Sequence, residues 1–252
     1  MTDRPKELRL NFANLQKELE SVSNLARPFL TQEGSYRLEE AKRQLNVFKS
    51  KPGQTVTWEV PKEAPIRTTL SKAQYERRDS GKQKGPHIHG ALSFKWEMTT
   101  SEKTVKEVML RGKASTMIRL CEGEGDEAPV LSMWKMEIGV GAAASPGSFF
   151  HIQVPGTEKD PPFPESIPVP RIPVFPPTPM ACLEFVLGEL FQRDWLKHVD
   201  RAGTPLNLWR SIQQQHLSSY LKWQLQQIEK TEGSPLMHLK GFPGVDLLMP
   251  NC

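Results

Sequence analysis

His87-Ile88-His89-Gly90-Ala91-Leu92-Ser93-Phe94-Lys95-Trp96-Glu97-Met98 alternates with a period of two. Successive side chains of an extended strand point to opposite faces. Ile88, Leu92, Phe94, Trp96 and Met98 therefore share one face, and His87, His89, Ser93, Lys95 and Glu97 share the other. One face is core, and the second is open to solvent or a ligand.

The same period recurs on either side. Val56, Trp58 and Val60 alternate with Thr55, Thr57 and Glu59, and Pro61 and Pro65 close that strand because proline cannot donate to a ladder. Downstream, strands are predicted over 108–121 with a break at Gly112, over 130–140 and over 149–154. The short turns 122–126 and 144–147 leave no room for crossover helices, which favours an antiparallel meander.

Helical spacing frames this region. Leu8, Phe12, Leu15, Leu19 and Val22, then Leu38, Ala41, Leu45 and Phe48, predict a helical hairpin from about Asp3 to Lys51. Thr178-Pro179 and Thr204-Pro205 each pair a capping hydroxyl with a proline suited to the first helical turn. The stripe Leu183, Val186, Leu187, Leu190 and Phe191 follows the first. Leu208, Trp209, Ile212, Leu217, Tyr220, Leu221, Leu225 and Ile228 follow the second. Between sheet and helices, residues 155–179 hold ten prolines, yet Ile167, Val169, Ile172, Val174 and Phe175 make this an ordered connector along the surface rather than a solvated linker. The fold class expected is α+β: an antiparallel sheet over about residues 54–154 with the hairpin (1–51) and the C-terminal helices and tail (180–252) on its apolar face, all in one compact domain.

The chain has 252 residues, 37% of them apolar, and a net charge of +4. No run approaches the roughly 18 apolar residues that span a bilayer, and the first residues lack an apolar signal core. These features predict a soluble cytoplasmic protein without a membrane partner. Cys121, Cys182 and Cys252 are odd in number and lack paired spacing, which argues against a disulfide framework or a cysteine zinc site. The small net charge allows a nucleic-acid partner without requiring one.

The chemistry-bearing residues sit on the polar face. If the meander pairs in order, His87, His89 and His151 converge there, with Glu97, Glu137 and Gln153 beside them, as ligands for a divalent metal or an anion. The segment 71–86 leads into His87, and its Arg77, Arg78, Lys82 and Lys84 form a candidate anion-binding loop. Two histidines could also act as acid and base on a phosphodiester. His198, His216 and His238 read as helix-surface or packing residues.

Two family resemblances attach to these residues. Gly81-Lys-Gln-Lys-Gly-Pro-His87-Ile-His89 resembles the first cupin motif, and Pro146-Gly147-Ser148-Phe149-Phe150-His151 resembles the second, which implies metal held inside a small barrel; Glu97 comes later than the cupin glutamate. Pro86-His87-Ile88-His89 is also similar to the His-hydrophobe-His strand of rolling-circle nicking endonucleases, which implies a nucleophilic tyrosine, here Tyr220, and a nucleic-acid substrate. No complete catalytic signature accompanies either. The function expected is a binding or interaction protein with a protein partner and a His-lined ligand or metal site, with a metal-dependent enzyme as the alternative.

Overall fold

The computed structural model describes residues 8–71, 87–102, 105–125, 127–138, 150–155, 172–175 and 177–230, with the backbone alone at 111–113, 173 and 227–230. In chain order these form β1 (Leu8–Asn11), α1 (Phe12–Ala26), α2 (Gln32–Phe48), β2 (Thr55–Val60), β3 (Ile66–Arg67), β4 (Ile88–Thr100), β5 (Glu107–Glu122), β6 (Val130–Ile138), β7 (Phe150–Gln153), β8 (Ile172–Pro173), α3 (Pro179–Arg201) and α4 (Thr204–Lys230). The strands build one antiparallel sheet in the order β2-β4-β5-β6-β7-β8, with β3 also on β4 and β1 also on β5. The α+β expectation holds. No described helix is long and apolar enough to cross a membrane.

Every described helix lies on the face that carries Leu92, Phe94, Trp96 and Met98, all of them buried. Trp58 is fully buried where α2 crosses β2; its Nε1 donates to the Ala41 carbonyl at 3.1 Å, and its ring meets Phe94 and Trp96 edge-on. Burying an indole is favourable only when its N–H finds an acceptor, and the helix backbone supplies one here. At Gly90 the sheet meets α3 so closely that an added Cβ would lie 2.5 Å from Val186 Cγ1. At Gly34 an added Cβ would lie 2.3 Å from the Arg67 carbonyl oxygen, so the first turn of α2 rests on the backbone of β3.

Two expectations are corrected. Residues 8–11 are a strand rather than the start of the hairpin. Leu8 and Leu10 are buried opposite Leu110 and Val108, and α1 begins only after the Asn11 side chain accepts from the Asn14 N–H at 3.0 Å. Gly112 does not break its strand either. β5 runs unbroken, and the irregularity falls in the pairing, which slips by two residues between Trp96↔Ala114 and Met98↔Leu110, a bulge.

The connector is described only at its end. There β8 pairs with β7, the Val174 N–H donates to the Phe150 carbonyl, and the Phe175 ring stands 5.0 Å from that of Tyr220. The expectation for 156–171 lies outside the described residues. Thr178 caps α3 as predicted, accepting from the Ala181 N–H at 3.1 Å. The sheet path is open among the described strands, so the closed barrel implied by the cupin resemblance is not formed by them.

Candidate anion-binding site

Directly paired residues of antiparallel strands point to the same side, so the register spells out the helix-free face row by row. The first row is His89–Cys121–Val130, the second Arg67–Ala91–Arg119–Met133, and the third Ser93–Met117–Lys135–Gln153. The fourth row, Glu59–Lys95–Ser115–Glu137–His151–Pro173, brings the first carboxylates. Three consecutive rows therefore hold Arg67, Arg119 and Lys135 without an aspartate or glutamate.

Each basic group is held by local structure. Arg67 sits on the short β3, whose carbonyl accepts from the N–H and hydroxyl of Thr31 at 3.1 and 3.3 Å, so the N-terminus of α2 fixes its backbone. Arg119 lies across Ala91 from it and is anchored by Nη2 donating to the Lys62 carbonyl at 2.7 Å, while its Nε is buried without a hydrogen-bond partner. Ala91 offers only a methyl between the two guanidinium side chains. His89, 3% exposed, places Nδ1 2.7 Å from the Gly123 carbonyl. Burial holds its imidazole below the ordinary histidine range; the Gly123 carbonyl opposes this, Arg67 and Arg119 add to it, and Glu124 opposes it. The neighbouring Cys121 thiol is pushed up by burial although both arginines favour its thiolate. His89 is thus an imidazole kept neutral at neutral pH within a positive potential. Two guanidinium charges acting on it make the position unfavourable for a divalent cation and favourable for an oxyanion.

The sequence candidates separate into two groups. His87 and His89 stand at one end of β4, where the His87 carbonyl accepts from the Gly123 N–H at 2.8 Å. His151 stands opposite Glu137, level with Lys95. Six residues along β4 and three strand spacings separate it from His89, more than about 20 Å. His151 is buried with Nε2 3.9 Å from a Glu137 oxygen; Glu137 also meets Lys135 Nζ at 2.6 Å, and Gln153 is the cross-strand neighbour of Lys135. Glu97 lies beyond both groups, opposite Thr57. The three histidines therefore do not gather at one point. Among the described residues no three His, Cys, Asp or Glu side chains are placed to hold a metal. Arg77, Arg78, Lys82 and Lys84 lie outside the described residues. Tyr220 is on the helical side of the sheet, packed on Phe150, Phe175 and Trp223, away from the His87–His89 pair.

A second polar group escaped the sequence reading. Glu18 of α1 is fully buried, and its Oε1 accepts from Thr178 Oγ1 at 2.5 Å and Gln213 Nε2 at 2.6 Å. His216 of α4 places Nδ1 3.8 Å from the same oxygen, and neither of its ring nitrogens nor Glu18 Oε2 has a hydrogen-bond partner. Burial raises the Glu18 carboxyl to about 7 against the Thr178 and Gln213 bonds, and lowers His216 to about 4. This group ties three helices together inside the core. No protein-family model, curated protein or solved structure matches the chain, so the site's own geometry carries the functional argument.

Proposed function

We propose that this chain is a binding protein for an oxyanion, a sulfate or phosphate group, held by Arg67 and Arg119 on the helix-free face of the sheet with His89 beside them. One observation carries the reading: Arg67 and Arg119 flank Ala91 in a single cross-strand row that holds no carboxylate, and both act on His89 in the next row. Guanidinium groups suit this task because each offers several N–H donors in a planar fork and never loses its charge. The Arg119 Nε, buried without a partner, is a donor that such a ligand could satisfy.

Titration calorimetry with sulfate and with inorganic phosphate tests the proposal. A charge-assisted hydrogen bond contributes about 1.5–3 kcal/mol, so Arg119→Ala should weaken binding about 10- to 100-fold. Lys95→Ala, in the fourth row beside Glu59, should leave it unchanged. Parallel titration with a single-stranded oligonucleotide distinguishes a free anion from a nucleic-acid backbone, whose affinity would fall steeply with salt. Binding that is absent, or indifferent to both Arg67→Ala and Arg119→Ala, would remove the proposal.

A further inference from the structure

We propose that the oxyanion enters this site together with a proton, which is taken from solvent onto Nε2 of His89. The inference rests on the anion-binding reading above and adds a linkage between ligand and pH. Its first support is the direction of the ring. Gly123 pairs at the level of His87, whereas Arg67 and Arg119 lie at the level of Ala91, so the carbonyl that engages Nδ1 and the guanidinium row lie on opposite sides of His89 along the strand. With Nδ1–H donating to that carbonyl, the remaining nitrogen, Nε2, is left for the arginine side. Unprotonated, it presents a lone pair, which repels an anionic oxygen; protonated, it presents an N–H, which donates to one. The ligand therefore favours the charged ring, and a charged ring favours the ligand to the same extent.

The second support is the charge around it. Among the described residues, the titratable and charged groups acting on His89 are Arg67 of β3, Arg119 of β5 and Glu124 of the turn after β5, with the Cys121 thiol as its cross-strand neighbour. Burial is the chief cause that keeps the empty-site ring neutral, and the field of the two guanidinium groups acts in the same direction. A dianion beside the two guanidinium groups reverses the sign of that field, so the empty and occupied sites differ in the protonation of this ring.

Sulfate is the probe, because it keeps its charge throughout the relevant pH range whereas phosphate does not. Calorimetry in two buffers of different ionisation enthalpy counts protons taken up on binding, and affinity is followed between about pH 5.5 and 8. The expected result is uptake approaching one proton per sulfate near neutral pH, with affinity rising up to about tenfold per unit of falling pH. His89→Gln should bind sulfate with an affinity independent of pH and no uptake, while His87→Gln behaves as the native chain. Because His89 is buried and its variant could lose the fold, the imidazole NMR signals of the native protein with and without sulfate provide a measurement that needs no substitution; the ring of His89 should shift to its protonated form on binding. Sulfate bound without proton uptake, or with uptake unchanged in a folded His89→Gln protein, overturns this inference and leaves the arginine site standing. No sulfate bound at all overturns both.

Discussion

Gly90 is the point where β4 touches α3 with no side chain between them. A Cβ there would come within 2.5 Å of Val186 Cγ1 and 3.2 Å of Leu190 Cδ1, both on a helix whose inner face is buried, so neither can swing away without moving its neighbours. Overpacking of this kind costs about 1–3 kcal/mol. Gly90→Ala should lower the urea unfolding free energy by that amount, and Val186→Ala in the same chain should recover part of it, a coupling that a double-mutant cycle reads directly. An unchanged midpoint in Gly90→Ala would mean that helix and sheet do not approach as described. At this scale, legibility depends on whether a residue's role is written in its own neighbours. Period two places Gly90 on the apolar face. The buried pair carries a signal of the same kind, although it escaped the sequence reading: Glu18 lies in the stripe Leu15, Leu19, Val22, and His216 in the stripe Trp209, Ile212, Tyr220. A chargeable residue inside an apolar stripe signals a buried polar contact. Arg67 and Arg119 carry no such signal, because one lies on a two-residue strand and their proximity exists only across the register of three strands.

Helix α4 shows the same division between elements and their orientation. Its existence, its start near Thr204 and its apolar content are all read from spacing, but eight apolar positions spread over more than half of its circumference leave its inner face undecided. Trp209, Ile212, His216 and Tyr220 face inward, while Leu217, Leu221 and Leu225 are 45%, 53% and 55% exposed. The two faces should respond differently to substitution. Replacing the three leucines with glutamine should change stability by no more than about 0.5 kcal/mol per site, the range of surface changes, whereas Trp209→Ala should cost about 3–5 kcal/mol. Chemical denaturation of both variants is the measurement, and a large loss in the leucine variant would show that this stripe is covered. The strands were legible for a related reason. The long β4 repeats its period over enough residues to exclude a helix, whereas Leu8 and Leu10 precede a genuine helix by too few residues for either period to win. Gly112 was misread because a glycine within a strand pattern marks a bulge as readily as an end, and the partner strand decides which.

For the whole molecule, the buried Glu18–His216 pair adds its own dependence of stability on pH. The Glu18 carboxyl rises from 4.5 to about 7 on folding, so its contribution is fully present below pH 4.5 and is lost as pH rises through 7. His216 falls from 6.5 to about 4, so its contribution is fully present above pH 6.5 and is lost as pH falls through 4. The two slopes are opposite, each near 1.4 kcal/mol per pH unit, and they overlap between about pH 4.5 and 6.5. In that window the unfolded chain carries the shared proton on His216 and the folded chain carries it on Glu18, so folding moves a proton without net uptake. Their joint contribution is a plateau that falls away on both sides. Removing one partner exposes the other. In Glu18→Gln, which preserves a group able to bond Thr178 and Gln213, stability should climb by about 2–3 kcal/mol relative to the native profile from pH 4.5 to 6.5, because only His216 then titrates. In His216→Gln it should decline by a similar amount across the same window. Urea midpoints at three or four pH values in each protein give the comparison, and since the remaining carboxylates titrate alike in all three chains, the differences isolate the pair. Parallel profiles for the native and Glu18→Gln proteins would show that Glu18 and His216 do not exchange a proton on folding.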